Sequence, residues 1–263
     1  MLPHEWHGQG EPLVLIAGLG AKGTSWQPFL DQAAQHFRVL TFDNRGSGRA
    51  PAIEGPLAIR DLALDLLQLL DQLGVERASV VGRSMGGMIA QELALIAPER
   101  VARLGLVSTT GRADPHLAGV FRVWARMAEA GVSSELRHQS SLLWCLGARA
   151  LEHDERVRAY LQAKAGTDRP ADYAAQAWAC AAHDALARLG QLRMPTLVLG
   201  GSDDRLTPPA HAEELGKAIG GARIVLIPGA GHLAYLESPE HFARELLGFL
   251  QGEIACPSPT SPS

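Results

Sequence analysis

A serine between glycines is the first feature of this sequence that could carry out chemistry. Gly82-Arg83-Ser84-Met85-Gly86 has the pattern G-x-S-x-G and lies between an apolar run that ends at Val81 and an apolar segment, Met88 to Ile96. Small residues around Ser84 permit a sharp turn from a strand into a helix, which holds the hydroxyl exposed above the sheet. We therefore predict a nucleophilic serine, with a serine that only caps the helix as the alternative. The N–H group of Met85 would then stabilise the oxyanion that the attack creates.

A serine hydroxyl attacks only when a neighbouring base takes its proton, and a further group must orient that base. Two carboxylates, Asp203 and Asp204, follow the strand-like run Thr196 to Leu199, which places them at the C-terminal end of a strand. His232 follows the next apolar run, in a glycine-flanked loop at the same expected edge. At this point either carboxylate could be the orienting acid.

Two more histidines follow the carboxylates along the chain. His211 and His241 fall within predicted surface helices, where a solvated side chain is the expected outcome. His232 is therefore the predicted base.

Short apolar runs separated by helix-like segments surround these residues. The runs are Leu13 to Ala17, Phe37 to Phe42, Ala78 to Val81, Leu104 to Val107, Thr196 to Leu199 and Ile224 to Ile227. Between the second and third runs, apolar residues from Ile59 to Leu73 follow helical spacing, and Gly74 stands where a C-terminal cap belongs. This alternation predicts an α/β fold, with a parallel sheet covered by helices on both faces.

The alternation stops between residues 112 and 189, where Ala, Leu, Arg, Glu and Gln dominate. We predict that residues 112–189 form a helical cap inserted into a core made of residues 1–111 and 190–252. The tryptophans of this insertion, Trp124, Trp144 and Trp178, are predicted to line a mainly hydrophobic substrate pocket. Residues 253–263 are rich in Pro and Ser and are predicted to be disordered.

The composition is that of an ordinary globular protein, with 263 residues, 46% of them hydrophobic, and a formal net charge of -4. The sequence has no cluster of Lys and Arg, which argues against nucleic acid or an anionic membrane as a partner. No apolar run approaches the roughly 20 residues that span a bilayer, and residues 1–11 do not resemble a secretory signal. Three scattered cysteines, Cys145, Cys180 and Cys256, fit neither a disulfide framework nor a metal site. We expect a cytoplasmic monomer or homodimer that acts on a small molecule without cofactor or metal.

Five motifs together resemble those of the α/β-hydrolase family over almost the whole chain. They are Leu15-Ile16-Ala17-Gly18-Leu19-Gly20, Asp43-Asn44-Arg45-Gly46-Ser47-Gly48, Gly82-Arg83-Ser84-Met85-Gly86-Gly87, Gly201-Ser202-Asp203-Asp204 with Pro208, and Gly231-His232. The resemblance implies the α/β-hydrolase fold, with a mostly parallel central sheet. Because few residues precede the first long strand, the usual first strand would be missing and about seven strands would remain.

The resemblance also implies a role for each candidate residue. Members of the family place the acid three residues after a glycine and four before a proline, which favours Asp204 over Asp203. Ser84 would attack the carbonyl, His232 would act first as base and then as acid, and Asp204 would fix the imidazole tautomer. The N–H groups of Leu19 and Met85 would hold the oxyanion.

The chain departs from the family pattern at two positions near the expected site. Ala17 replaces the histidine that many relatives carry before the first oxyanion glycine, which puts the anchoring of that loop in question. Arg83 is unusual beside the nucleophile. We expect it to form a structural ion pair, with Asp43 as the candidate partner, in preference to binding a substrate carboxylate.

Within the family, the sequence is similar to 3-oxoadipate enol-lactonases and small esterases. The similar segments are Trp178-Ala179-Cys180-Ala181-Ala182-His183-Asp184, Met194-Pro195-Thr196-Leu197 and Ser84-Met85-Gly86-Gly87-Met88-Ile89. The similarity implies cleavage of a small, largely hydrophobic carboxylic ester or lactone through an acyl-enzyme. Carbon-carbon bond hydrolases and cofactor-free perhydrolases use similar scaffolds and are the alternatives.

A different activity is suggested by Gly18-Leu19-Gly20-Ala21-Lys22-Gly23, which has the pattern G-x-G-x-x-G after a strand. Asp43 lies 20 residues beyond Gly23, as in a dinucleotide-binding unit. The chain would then be a nicotinamide-dependent oxidoreductase. The early Pro28 delays the helix that should receive the pyrophosphate, and this function leaves the serine, acid and base unexplained. The oxidoreductase is therefore a remote alternative, and a catalytically silent receptor is disfavoured because all three reactive residues are present.

Overall fold

A computed structural model of the chain describes residues 1–27, 29–153, 155, 157, 158, 160, 161 and 169–253. Nearly all of the predicted tail, including Cys256, lies outside these described residues, as does Pro28. No helix in the described part of the chain has the length and apolarity needed to cross a membrane.

Seven strands form one sheet. They are β1 (His4–His7), β2 (Pro12–Ile16), β3 (Arg38–Phe42), β4 (Ala78–Arg83), β5 (Val101–Val107), β6 (Thr196–Gly201) and β7 (Arg223–Ile227). Their order across the sheet is β1-β3-β2-β4-β5-β6-β7. All neighbouring pairs are parallel except β1 with β3. The predicted α/β class and the expected number of strands are confirmed.

The antiparallel strand β1 is the element that no apolar run indicated. It pairs with β3 from His4 opposite Phe42 to His7 opposite Val39. An edge strand needs only one hydrogen-bonded neighbour, and its residues here are mostly half-buried, so the sequence carries no continuous apolar signal. The six predicted runs correspond to β2 through β7.

The helices are α1 (Phe29–Ala33), α2 (Ile59–Gln72), α3 (Met85–Ile96), α4 (Pro115–Glu129), α5 (Ser134–Cys145), α6 (Ala148–Leu151), α7 (Pro170–Ala181), α8 (Pro209–Ile219), α9 (Ala234–Glu237) and α10 (Pro239–Leu250). Short 3-10 helices span Gly23–Trp26, Pro98–Arg100 and Leu186–Gln191. Helices α2 and α3 pack against each other, and α1 packs against α10.

Helix α2 illustrates how the sequence specifies these elements. Its buried residues include Ile59, Leu62, Leu66 and Leu70, which repeat at the three- and four-residue spacing of one helix face. Gly74 follows the helix with φ +65°, a left-handed conformation that glycine adopts without the steric cost that a Cβ atom brings. The predicted helix and its cap are confirmed.

Between β5 and β6, the described residues are mostly helical and form α4 to α7. Helices α4 and α7 pack against each other. Asp114 caps α4 by accepting a hydrogen bond from the N–H of Leu117 at 2.8 Å, and Pro115 occupies the first turn. These helices cover the C-terminal ends of the central strands, where the candidate site lies.

Candidate active site

Ser84 lies in the turn between β4 and α3 and has a strained backbone. Its φ of +56° is in the left-handed region, which a side chain rarely adopts. Neighbouring strands hold the turn in place, because the N–H of Ser84 donates to the carbonyl of Val107 at 2.9 Å. The hydroxyl of Thr109 donates to the carbonyl of Ser84 at 2.8 Å. The strain is therefore maintained by hydrogen bonds on both sides of the serine.

The glycines of the motif permit close approach of backbone to backbone. A Cβ atom added at Gly82 would lie 2.0 Å from the carbonyl oxygen of Gly86. One added at Gly86 would lie 2.2 Å from the carbonyl oxygen of Ile16 in β2. Only a residue without a side chain fits at either position, so the pattern around Ser84 reflects a steric requirement.

His232 and Asp204 form a buried pair. The Nδ1 atom of His232 lies 2.8 Å from Oδ2 of Asp204, and the two residues are 2% and 3% exposed. Because an ionised carboxylate can only accept, the imidazole donates from Nδ1 and keeps a lone pair at Nε2. Nε2 is buried and has no hydrogen-bond partner in the described part of the chain.

Asp204 accepts more hydrogen bonds than the one from His232. Its Oδ1 accepts from the N–H groups of Leu206 and Thr207, both at 2.9 Å. The hydroxyl of Thr207 donates to Oδ2 at 2.8 Å. Asp203 points elsewhere, since it is exposed and accepts from the hydroxyl of Ser202 at 2.9 Å. Thr207 is a supporting residue that the sequence analysis missed.

The other two histidines occupy different surroundings. His241 is partly exposed on α10 and lies 3.8 Å from Glu245, one turn further along that helix. His211 lies in the predicted helix but is buried, with its Nε2 atom 3.1 Å from Oδ2 of Asp114. The expectation that His211 is solvated is therefore wrong, because α8 packs this face against the start of the cap.

The loop after β2 approaches the serine closely. A Cβ atom added at Gly18 would lie 3.3 Å from Cβ of Ser84 and 3.8 Å from its hydroxyl oxygen. Leu19, the next residue, is buried and lines the same cavity as Ser84. Met85 is the first residue of α3, and an N–H group at that position has no acceptor within its own helix.

Two amides anchor this loop, and one of them belongs to the cap. The side chain of Asn44 donates to the carbonyl of Ala17 at 3.2 Å. Gln176 of α7 accepts from the N–H of Gly20 at 2.9 Å and donates to the carbonyl of Arg45 at 2.7 Å. The loop is therefore held without a histidine at position 17. The sequence analysis did not identify Gln176.

A cavity above Ser84 is enclosed by the core and the cap. It comprises about 430 Å³, its open mouth included, and its lining includes Gly18, Leu19, Arg83, Ser84, Leu206, His232 and Leu233 from the core side. From the cap side the lining includes Phe121, Trp124, Ser141, Cys145 and Tyr173. The serine and the histidine thus face one common space.

Of the three tryptophans predicted to line the pocket, Trp124 lies at the wall of this cavity. Trp144 contacts the ring of His116 with centroids 5.4 Å apart, and Trp178 donates from its indole nitrogen to Glu129 at 2.7 Å. Neither Trp144 nor Trp178 lines the cavity, because their helices direct them towards other parts of the cap surface. Phe121 lies one turn before Trp124 on α4, and this spacing could have identified it as a second wall residue.

Arg83 does not form the ion pair expected with Asp43. The carboxylate of Asp43 accepts from the N–H groups of Gly23 and Arg49, each at 2.9 Å. The Arg83 guanidinium instead lies 4.8 Å from the ring centroid of Tyr235 and donates to the hydroxyl of Ser25 at 3.3 Å. The ion-pair prediction is therefore wrong, because backbone groups of the adjoining loops occupy Asp43.

The same contacts weigh against the dinucleotide-binding alternative. Asp43 ties the glycine loop to β3 and accepts two backbone hydrogen bonds. The loop continues into a short 3-10 helix, Gly23–Trp26, instead of the N-terminus of a long α-helix that could receive a pyrophosphate. Among the described residues, no group of three or more His, Cys, Asp or Glu side chains could hold a metal ion.

Comparisons with known proteins agree with this architecture. The family model for the alpha/beta hydrolase fold matches residues 11–239. A protein of Azorhizobium caulinodans named as the carbamate hydrolase RutD is 34% identical over 258 residues, which cover 96% of each chain.

Solved structures give the same result. The enol-lactonase from Burkholderia xenovorans LB400 is similar with a TM-score of 0.86 and 30% identity, covering 95% of this chain and 96% of that one. A thermophilic esterase from Thermogutta terrifontis has a TM-score of 0.87 and 29% identity, covering 95% of this chain and 93% of that one. The chain belongs to the α/β-hydrolase fold family. It is a hydrolase, and the site described above lies at the edge of the sheet where such folds carry their chemistry.

Proposed function

We propose that this protein is a serine hydrolase that cleaves a small, largely hydrophobic carboxylic ester or lactone through an acyl-enzyme. The observation that carries the proposal is the buried pair of His232 and Asp204 beside a cavity that His232 and Ser84 both line, with Nε2 of His232 making no hydrogen bond to any described residue. The three residue types are those that make a serine hydroxyl nucleophilic.

The reaction would begin with attack of the Ser84 hydroxyl oxygen on the carbonyl carbon of the substrate. His232 takes the hydroxyl proton on Nε2, and Asp204 stabilises the imidazolium through Nδ1. When the bond to the leaving oxygen breaks, His232 returns the proton to that oxygen and the acyl group remains on Ser84. A water molecule, deprotonated by the same histidine, then releases the acid and restores the serine.

The oxyanion formed in each step would be held by the N–H groups of Leu19 and Met85. Leu19 lines the same cavity as Ser84, and Met85 directly follows Ser84 and begins α3, whose dipole favours negative charge there. Each such donor contributes on the order of 3 kcal/mol to transition-state stabilisation in enzymes of this kind.

The size and lining of the cavity support a small substrate. The space reaches about 430 Å³ only when its open mouth is counted, so its enclosed part is much smaller. Phe121 and Trp124 give the cap side apolar surface beside the polar Ser141 and Tyr173. Arg83, Ser84 and His232 supply polar groups on the core side. An acyl group of a few carbon atoms fits such a space better than a long chain.

The relatives extend the acyl chemistry beyond simple esters. Names among them describe an enol-lactonase, an esterase and a carbamate hydrolase. Esters, lactones and carbamates share a carbonyl carbon bonded to an oxygen or nitrogen leaving group, so one nucleophilic serine could act on each of them. We therefore include a carbamate in the substrate test.

A fluorophosphonate probe tests the mechanism directly. We expect it to modify Ser84, identified by peptide mass spectrometry, and to leave the variant Ser84→Ala unmodified. Ser79→Ala, which changes a buried serine earlier in β4, is the matched control and should be labelled like the unaltered protein. Folded protein in which Ser84 escapes the probe would rule out the proposed mechanism.

A panel of substrates would identify the type of bond that the protein cleaves. Initial rates would be measured for p-nitrophenyl esters of increasing chain length, a simple lactone, an aryl carbamate and a vinylogous diketone. We expect short esters or the lactone to react fastest. Faster cleavage of the diketone would instead make the protein a carbon-carbon bond hydrolase.

A further inference from the structure

Arg83 is a buried cation at the wall of the substrate space. It is the last residue of β4, directly precedes Ser84, and is 5% exposed. It lines the cavity above Ser84 and also a second, smaller space, which comprises about 270 Å³ when the solvent at its opening is counted. Tyr160 and Leu233 line both spaces as well, so the second space is a side chamber that adjoins the first at Arg83.

The contacts of Arg83 leave much of its hydrogen-bonding capacity unused. A guanidinium has five N–H donors. One Nη atom donates to the hydroxyl of Ser25 at 3.3 Å, while Nε is buried and makes no hydrogen bond with any described residue. The rings of Tyr235 and Trp26 lie 4.8 and 5.7 Å away from Cζ and offset only part of the cost of burying the charge.

No carboxylate in the described ranges lies within 4.0 Å of the Arg83 guanidinium. Other arginines that are more exposed than Arg83 have such partners: Arg45 pairs with Asp65 at 2.5 Å and Arg188 pairs with Glu92 at 2.5 Å. Burial raises the pKa of the Tyr235 phenol above its usual range, so this neighbour stays neutral beside Arg83. The positive charge of Arg83 is therefore available to an anion that is not part of the described chain.

We propose that Arg83 binds a carboxylate of the substrate, so that the preferred substrates are esters or lactones carrying an anionic group a few bonds from the reacting carbonyl. This inference rests on the proposed serine hydrolase function and specifies its substrate class. The carboxylate would lie in the side chamber, whose other walls include the apolar residues Ala21, Leu233 and Leu236. Planar guanidinium and carboxylate groups form paired hydrogen bonds, which the unused donors of Arg83 could supply.

The test compares charged and neutral esters of equal length. kcat/KM would be measured for the mono-p-nitrophenyl esters of succinate, glutarate and adipate and for their methyl-capped counterparts. The variants are Arg83→Gln and Arg83→Lys, with Arg112→Gln, an exposed arginine paired with Glu214, as the matched control. Circular dichroism and labelling of Ser84 would establish that each variant is folded and keeps its nucleophile.

We expect kcat/KM of the unaltered protein to be about 10-fold or more higher for the best charged ester than for its capped counterpart, because a charge pair shielded from water can stabilise the bound substrate by that factor. Arg83→Gln should abolish this preference, so that the two esters react at about equal rates, whereas Arg83→Lys should retain part of it and Arg112→Gln should leave it unchanged. Equal losses on both esters in Arg83→Gln, or a preference of the unaltered protein for capped esters, would overturn the inference.

A binding experiment separates this inference from the proposed function. Glutarate, succinate and adipate would be titrated calorimetrically into Ser84→Ala and into Ser84→Ala combined with Arg83→Gln. Binding that requires Arg83 supports the carboxylate site whatever the turnover results. Absence of binding by all three dicarboxylates at millimolar concentration refutes it, even if Ser84 reacts with the fluorophosphonate and neutral esters are cleaved.

Discussion

The Nδ1 atom of His232 lies 2.8 Å from Oδ2 of Asp204. The adjacent Asp203 is exposed, and its carboxylate accepts a hydrogen bond from the hydroxyl of Ser202. Two neighbouring carboxylates are thus separated by the turn after β6, which buries one and leaves the other in solvent. This relationship gives a matched pair of variants for testing the role of the acid.

Asp204→Asn should reduce kcat by about 10⁴-fold, because an amide at this position favours the wrong imidazole tautomer. Asp203→Asn makes the same chemical change one residue away and should alter kcat by less than about 3-fold, since its side chain does not contact the histidine. Steady-state rates on a p-nitrophenyl ester measure both. A larger loss in Asp203→Asn would mean that the other carboxylate is the acid.

Gln176→Leu should lower kcat by about 10-fold, because the loop that carries Leu19 loses its anchor on α7. The change leaves the N–H of Gly20 and the carbonyl of Arg45 without the partners they have now. Each buried group without a partner also costs about 1–3 kcal/mol of stability. Measurement of kcat together with urea unfolding separates the two effects.

The control for this variant is Gln91→Leu. Gln91 is also fully buried, and its side chain donates to the carbonyl of Thr110 at 3.0 Å, far along the chain from the loop after β2. It should lose stability while kcat stays near that of the unaltered protein. If both glutamine variants kept full kcat, Gln176 would have only a structural role.

Gly82→Ala should destabilise the protein by about 1–3 kcal/mol or more and abolish activity, because its Cβ atom would overlap the carbonyl of Gly86. Gly200→Ala is the matched strand variant. The nearest atom to its Cβ would be Cδ2 of Leu226 at 3.8 Å, an ordinary contact, so its stability should change by less than about 1 kcal/mol. Chemical unfolding and labelling of Ser84 measure the two outcomes, and similar unfolding curves would contradict the steric explanation.

The stability of the protein should fall as the pH drops from about 6.5 to about 4, in part because of His183. Burial lowers the pKa of this imidazole from 6.5 to about 4, with smaller effects of Glu92, Arg188 and Asp184. In this window the unfolded chain binds a proton that the folded chain does not, so acid favours unfolding. The full difference between the two values corresponds to about 3 kcal/mol.

Urea unfolding at several pH values measures the contribution of His183 to the pH dependence of stability. His183→Gln cannot titrate, so its stability should depend less steeply on pH between 6.5 and 4. His153→Gln, which changes an exposed histidine, should keep the slope of the unaltered protein. An unchanged slope in His183→Gln would show that other groups cause the loss of stability.

The motifs indicated Ser84, Asp204 and His232 as the candidate reactive residues because steric rules act over short distances in the chain. Ser84 needs small neighbours to adopt its left-handed turn, and that need is visible as glycines at positions 82 and 86. Similarly, the positions of Asp204 and His232 after successive strands follow from the rule that parallel strands end at one edge of the sheet. The family pattern then distinguished Asp204 from Asp203.

The predictions that were wrong concern contacts between residues far apart in sequence. Asp43, the expected ion-pair partner of Arg83, instead accepts from backbone N–H groups of two loops and lies 3.6 Å from Nε of Arg49. His211 falls within a predicted surface helix, where a solvated side chain is expected, yet the packing of α8 against the cap buries it beside Asp114. No pattern of neighbouring residues in the sequence could indicate the partners of Asp43 or the burial of His211.

The sequence by itself determined the alternation of β2 to β7 with helices, the turn that holds Ser84 and membership of the α/β-hydrolase fold family, because each depends on residue types at short spacing. Only the tertiary structure decided which side chains enclose the cavity, how Gln176 of the cap holds the loop after β2, and that Arg83 stays buried with no described carboxylate beside it. The physical reason is that these properties depend on distances between elements more than 50 residues apart, and packing of the whole chain sets those distances.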